Sequence, residues 1–307
     1  IMQGQIVLKD QSFPELSASL IRDLIHAGES AVPSLIRRGG KIVRIGLSRF
    51  SPYESLDVYV DTQEAMGANL LNTLLEAMSL VLREEYHLDI LMSILSNYPE
   101  ECRVSVQCSM PIEQLDGQWK RAERIVDACA YANLDVHRCA THNKGIMNGI
   151  DALVMASGND WRAVNAAIYT HASSTGTMKS LTSWQIADDR LKGVIDLVLP
   201  LGSVSRSMMI RPKVQLAHTI MRHPDAKTLM SYCGALGLAQ NFAALNALVS
   251  KGIQDGHMKL QAKVIAQSFN LSELQQKDLI DYLNEKKEYS KQAAEEYLLS
   301  IKDKKDK

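Results

Sequence analysis

The stretch Leu56-Asp57-Val58-Tyr59-Val60-Asp61-Thr62-Gln63-Glu64-Ala65-Met66-Gly67-Ala68-Asn69 holds the change of period on which the fold turns. Leu56–Val60 reads as a strand, and from Glu64 to Leu82 the apolar residues recur at helical spacing. Upstream, Gln3–Lys9 reads as a strand, Ser12 with Pro14 and Glu15 signals a helix start, and Leu16–Arg38 is helical. Gly39-Gly40 closes that helix, Lys41–Leu47 alternates as a strand, and Ser51-Pro52 turns the chain. Downstream, Leu88–Leu95 supplies a last strand. The order is β-α-β-β-α-β, a ferredoxin-like unit with two helices on one face of an antiparallel sheet.

After Asn97-Tyr98-Pro99 the texture changes. Arg103–Cys108 predicts a strand and Glu113–Ala132 an amphipathic helix. Asn143–Ala156 and Asp160–Ala172 predict two helices rich in small residues. Leu181–Leu201 predicts a hairpin turning near Asp188-Asp189. From Pro212 onward the reading is helical, with breaks near Pro224, Gly234 and Gly252, and Asn270-Leu271-Ser272-Glu273 caps a helix of the tail. The fold class is therefore α+β. It comprises a ferredoxin-like unit over residues 1–97, a larger mixed α/β unit with a central helix over 98–250, and a small helical unit over 251–307.

Of the 307 residues 46% are hydrophobic and 22% charged, the balance of an ordinary globular chain. A formal net charge of −1 offers no basic field for nucleic acid. Cys102, Cys108, Cys129, Cys139 and Cys233 are odd in number and form no CxxC pair, which argues for reduced thiols in a cytoplasmic protein rather than disulfides or a metal site. No apolar run reaches the roughly 18 residues of a membrane span, and Ile1–Asp10 does not read as a signal peptide.

Four stretches could carry chemistry. In Arg138-Cys139-Ala140-Thr141-His142-Asn143-Lys144-Gly145-Ile146-Met147-Asn148-Gly149, a helix beginning near Asn143 puts Lys144 and Asn148 one turn apart on one face. A lysine beside a helix N-terminus stabilises an oxyanion, although a lysine snorkelling to solvent satisfies the same periodicity. In Gly158-Asn159-Asp160-Trp161-Arg162-Ala163, Asp160 stands where an N-cap belongs or where it could tune that lysine. Gly252-Ile253-Gln254-Asp255-Gly256-His257-Met258 sets a histidine, the usual general acid at neutral pH, in a hinge-like segment. Asp61–Asn69 joins a strand end to a helix start, where backbone N–H groups can meet a phosphate, or where an acidic cap closes an ordinary turn.

Together these stretches resemble the class II hydroxymethylglutaryl-CoA (HMG-CoA) reductases. Glu64-Ala65-Met66-Gly67-Ala68-Asn69 is similar to the family's DAMGxN cofactor motif, and Thr141–Gly149 to its catalytic-lysine motif. Gly158–Ala163 is similar to the aspartate motif, Gly252–Met258 to the histidine motif, and Ile94–Asn97 and Gly237-Leu238-Ala239-Gln240-Asn241 to further family segments. The resemblance implies a two-hydride reduction of HMG-CoA to mevalonate and CoA, by a homodimer with shared active sites. In it Lys144 would stabilise the oxyanion, Asp160 would tune Lys144, and His257 would protonate the CoA thiolate from a mobile helical flap. Arg138, Asn148 and Gln240 would hold substrate, while Glu64, Met66, Gly67, Asn69 and Arg44 would hold the cofactor. Arg44, with Arg37, Arg38 and Arg49 nearby, favours NADPH over the alternative NADH, since guanidinium suits a 2′-phosphate.

Three departures stand beside the resemblance. The family's E-x-P-type glutamate motif is absent from this sequence, which reads as a fragment starting inside the cofactor unit. Ser205-Arg206 stands where the family has a Gly-Gly pair, and Glu64 replaces Asp with a longer reach towards the same ligand group. The competing reading is a family member that binds a CoA ester or dinucleotide without turnover.

Overall fold

The computed structural model describes residues 1–115, 117–204, 208, 210–250 and 252–305, and leaves aside the side chains of 253–257 and 302–305. Its first unit runs β1 (Met2–Lys9), α1 (Ala18–Ala31), α2 (Pro33–Ile36), β2 (Lys41–Phe50), β3 (Tyr53–Asp61), α3 (Ala68–Tyr86) and β4 (Ile90–Leu95). The strands form one antiparallel sheet in the order β2-β3-β1-β4, the ferredoxin-like arrangement expected. Alternation puts Ile6, Leu8, Leu56, Val58 and Val60 on the face that α1 and α3 cover with Leu20, Leu24, Leu71, Leu74, Leu75 and Met78. Each of these side chains contributes about 1.5–3 kcal/mol by leaving water.

The expected single helix over Leu16–Arg38 is two. Ser17 caps α1 by accepting from Leu20 N at 3.2 Å, and Val32, at φ −126° and ψ 54°, leaves the helical region because it precedes Pro33. The proline then starts α2 at its first position, where its missing N–H costs nothing.

The second unit holds β5 (Arg103–Pro111), a 3-10 turn at Ile112–Leu115, α4 (Trp119–Ala132), α5 (Val136–Ala156), α6 (Trp161–Ser173), β6 (Thr182–Ala187), β7 (Arg190–Val198), α7 (Pro212–Ile220) and α8 (Ala226–Leu248). Its antiparallel sheet has the order β5-β7-β6, and β6 and β7 are joined by Asp188-Asp189, both at positive φ as a tight two-residue hairpin requires. The core packs α4, α5, α6 and α8 over this sheet through Ile125, Ile146, Ile150, Val164, Leu191, Ile195 and Leu238.

Helices α3 and α4 begin at Ala68 and Trp119, later than the expected Glu64 and Glu113, and two further boundaries also differ. Helix α5 starts at Val136, capped by Asp135 accepting from His137 N at 3.1 Å, seven residues before Asn143. The polar His142 and Asn143 resemble a boundary in sequence but are buried and hydrogen-bonded within the unit. Helix α8 runs unbroken through Gly234, whose bare Cα lets β5 approach; a Cβ there would lie 2.7 Å from Cγ2 of Val106. Beyond Gly252, α9 (Ile253–Gln267), α10 (Glu273–Lys286) and α11 (Lys291–Lys305) enclose a separate small core of Ala262, Ala266, Leu279, Leu283, Ala293 and Ala294. Ser272 and Gln275 close a reciprocal capping box at the start of α10. No described helix is long and apolar enough to cross a membrane.

Candidate active site at the junction of the two units

The β3–α3 connection carries the first wall of the site. Gly67 is the N-cap of α3 at φ +84°, and a Cβ on it would lie 2.5 Å from Cγ2 of Thr62, so only glycine closes this turn. No side chain caps the helix, which leaves its first amides open to an anion. The second wall is the α5–α6 turn, Gly158-Asn159-Asp160, with Gly202, Val204 and Met208 beside it. Between the walls lies a cleft of about 870 Å³, lined also by Ala65, Met66, Ala68, Asn69, Leu70, Ser34 and Arg38. Two motifs some ninety residues apart in sequence thus meet across one space.

The walls touch at Gly202. A Cβ at Gly202 would lie 2.4 Å from Met66 N, so the two backbones are in direct contact there. Asn159 holds Gly202 on the other side, accepting its N–H at 2.9 Å and donating to its carbonyl at 3.0 Å. Glu64 crosses the same junction: its carbonyl accepts from Ser203 N at 2.8 Å, and its carboxylate Oε2 accepts from Ala226 N at 2.7 Å and from the Ser203 hydroxyl.

Of the expected cofactor residues, Met66, Gly67 and Asn69 line the cleft, while Glu64 and Arg44 do not. The longer side chain of Glu64 turns away into a smaller hollow with Ser203, His218, His223 and Asp225. Arg44 sits on the edge strand β2, 3.1 Å from Glu101 and 3.8 Å above the Tyr59 ring, so its guanidinium is engaged elsewhere. The cation at the cleft is Arg38, reached because α2 ends beside it.

Asp160 also lines the cleft, as the N-cap of α6: it accepts from Arg162 N at 2.9 Å and pairs with the Arg162 guanidinium at 3.2 Å. The hydrogen bond from Arg162, with backbone N–H bonds and charge attraction added, holds its carboxyl below the usual carboxylate range. Lys144 is not at a helix mouth but in the third turn of α5, exposed together with Asn148. Among the described residues it has neither hydrogen bond nor ion pair, and its expected partner Asp160 is engaged with Arg162. Arg138 and Gln240 are half-buried and, like Lys144 and Asn148, outside the cleft lining. The side chain of His257 and the pair Ser205-Arg206 lie outside the described residues.

Behind the exposed face of α5 sits a buried polar network. His142 Nε2 lies 2.9 Å from Thr182 Oγ1, 2.9 Å from Ser180 Oγ and 3.0 Å from Asn241 Nδ2, while its Nδ1 has no partner in the structure. Asn143 bonds Lys179 O and Leu181 N. Burial, with the Arg138 charge added, pushes the His142 imidazole down to about 4. The sequence singled out Lys144 and Gln240 in these two motifs, but their buried, hydrogen-bonded members are the neighbours His142, Asn143 and Asn241. Asn159, Gly202 and Ser203 were equally unmarked, since their partners are distant in sequence.

A ferredoxin-like unit and a helix-rich α+β unit that share a cleft edged by a helix N-terminus without a side-chain cap define an α+β protein with its candidate site at the junction of these two units. The sequence pattern of hydroxymethylglutaryl-coenzyme A reductase matches residues 1–262, and the chain belongs to this family. It is 37% identical over 249 residues to 3-hydroxy-3-methylglutaryl-coenzyme A reductase of Archaeoglobus fulgidus, covering 80% of this chain and 57% of the relative. With the probable enzyme of that name from Borreliella burgdorferi it shares 30% over 262 residues, 82% of this chain and 61% of the relative. The chain therefore spans less than two thirds of these relatives' length. Among solved structures, the 3-hydroxy-3-methylglutaryl-coenzyme A reductase of Streptococcus pneumoniae superimposes with a TM-score of 0.76 at 39% identity, over 98% of this chain and 74% of that one. A second structure of the class II enzyme from that organism, bound to NADPH in open conformations, gives 0.75 at 39% identity, over 98% and 76%.

Proposed function

We propose that the chain carries the nucleotide cleft and the lysine-bearing helix of a hydroxymethylglutaryl-CoA reductase that reduces HMG-CoA to mevalonate with NADPH. The observation that carries this reading is the meeting of Ala65–Leu70 with Gly158–Asp160 across one cleft. The residues present fit a phosphorylated dinucleotide: the N-terminus of α3 has no side-chain cap over its first amides, and Arg38, with Ser34, supplies the cation of the cleft lining among the described residues. NADPH held there would supply one hydride for the thioester reduction, and a second NADPH, exchanged for the spent NADP+, would supply the hydride for the aldehyde. Met66, Gly67 and Asn69 orient the nucleotide, and the paired Asp160 fixes the opposite wall. The three units are taken as 1–97, 98–250 and 251–307.

In the same reading Lys144 stabilises the negative oxygen formed on hydride arrival, with Asn148 and Gln240 beside it and Arg138 on the acyl-CoA. That role needs the exposed face of α5 to be covered, because an ammonium in open water gives little stabilisation. A second copy of the chain laid on this face supplies the cover, so the working form is a homodimer; the compartment is the cytoplasm. His257, at the start of the tail helices beyond Gly252, protonates the thiolate. The test is HMG-CoA-dependent NADPH oxidation by the full-length protein. Lys144→Ala should remove turnover with far-UV circular dichroism and NADPH binding unchanged; turnover surviving that substitution refutes the assignment.

A further inference from the structure

We infer that Glu64 is a positioning residue that staples the cofactor wall to the substrate wall, and that it is not a ligand of the nucleotide. The inference rests on the nucleotide reading of the cleft. One oxygen, Oε2, accepts both the Ala226 N–H at 2.7 Å and the Ser203 hydroxyl, while the Glu64 carbonyl accepts from Ser203 N and Val204 N. Ala226 is the first residue of α8, and Ser203 follows Gly202, whose backbone abuts Met66. A single side chain on the β3–α3 turn thus joins, across 139 and 162 residues of sequence, a loop and a long core helix of the other unit. Glu64 borders the hollow lined by His218 and His223 and is not among the residues lining the cleft, although Val204 borders both spaces.

The geometry sets an unusual order of tolerance. Both bonds converge on one oxygen as acceptor, so a glutamine carbonyl can replace it without loss of reach. Aspartate keeps the charge but is one methylene short. A residue binding nucleotide hydroxyls would show the reverse order, because the charged acceptor strengthens such a bond and glutamine loses it.

In the full-length protein, Glu64→Gln should keep kcat within about twofold of the parent, and Glu64→Asp should lower kcat about tenfold, the scale of losing hydrogen bonds to a charged acceptor. NADPH affinity, titrated by the fluorescence of the bound nucleotide, should stay within about twofold for Glu64→Gln and fall several-fold for Glu64→Asp, which lets the two cleft walls part. Ser203→Ala should lower kcat several-fold and add nothing once Glu64→Asp is present, as two changes to one contact must. Weakened NADPH binding in Glu64→Gln with Glu64→Asp unaffected overturns the inference, as does full additivity of the Ser203 and Glu64 effects. If the parent protein fails to turn over, the reading of function fails by itself. The staple is then judged by thermal unfolding, where Glu64→Asp must lower Tm, Glu64→Gln must not, and Ser203→Ala must again be non-additive; any other pattern refutes it.

Discussion

Asn159 grips Gly202 at both of its backbone polar groups, accepting the N–H at 2.9 Å and donating to the carbonyl at 3.0 Å. A carboxamide does this as one more rung of a sheet would, and its Nδ2 also donates to Ser157 Oγ. Gly202 in turn touches Met66 N, so the pair fixes the spacing of the two cleft walls.

Asn159→Asp keeps the shape and the acceptor but loses both donations, leaving the Gly202 carbonyl facing a carboxylate. Loss of this half-buried bond should cost about 1–3 kcal/mol, read as a lower urea midpoint with unchanged slope. An unchanged midpoint would show that the grip contributes nothing.

Gly202→Ala acts on the same spacing from within. The new methyl would stand 2.4 Å from Met66 N, a distance no packed pair tolerates, so the walls must separate. The cost should be about 1–3 kcal/mol of stability, with NADPH affinity reduced roughly tenfold. Wild-type affinity in this variant, measured by calorimetry, would mean that the nucleotide does not use both walls.

The sheet of the first unit was legible because Leu56–Val60 and its partners obey period two, whereas the helix after it was read from Glu64 and begins only at Ala68, behind the positive-φ turn at Gly67. Less was legible wherever a polar residue serves the interior. His142 and Asn143 suggest a helix start by composition, yet they sit inside a helix whose cap, Asp135, lies upstream. The motif resemblance named Met66, Gly67 and Asn69, which line the cleft, but where Glu64 points depends on Ser203 and Ala226, and no local pattern encodes partners so distant. Arg44 and Arg38 could not be separated by sequence distance. Strand pairing puts Arg44 against Tyr59 on the sheet edge, whereas the end of α2 brings Arg38 to the cleft.

That separation gives a direct test of cofactor choice. Arg38→Ala should weaken NADPH about tenfold to a hundredfold, the range of a charge-assisted bond to phosphate, and leave NADH within about twofold. Arg44→Ala should change neither, because its guanidinium is held by Glu101 and Tyr59. A tenfold loss of NADPH affinity in Arg44→Ala, with Arg38→Ala silent, would return the role to Arg44.

The buried network of α5 predicts an acid limit with a definite sign. Trp184 Nε1 can only donate, and it does so to Asn241 Oδ1 at 2.8 Å, which turns Asn241 Nδ2 towards His142 Nε2. That nitrogen must accept, so His142 is neutral with its proton on the unpartnered Nδ1. Burial, with the Arg138 charge added, holds the folded imidazole down to about 4 against 6.5 for a free one, and protonation would also set an N–H against an N–H. Above pH 6.5 the group is neutral in both states and stability is independent of it. As pH falls from 6.5 towards 4 the unfolded chain takes the proton first, and stability drops by up to about 1.4 kcal/mol per pH unit, roughly 3 kcal/mol in all. His142→Gln keeps an acceptor for Asn241 and has nothing to titrate. Urea unfolding at pH 7, 6, 5 and 4 should therefore show a shallower loss for the variant than for the parent, the two curves diverging below pH 6.5; parallel curves would mean that His142 takes its proton equally readily in the folded and unfolded chain.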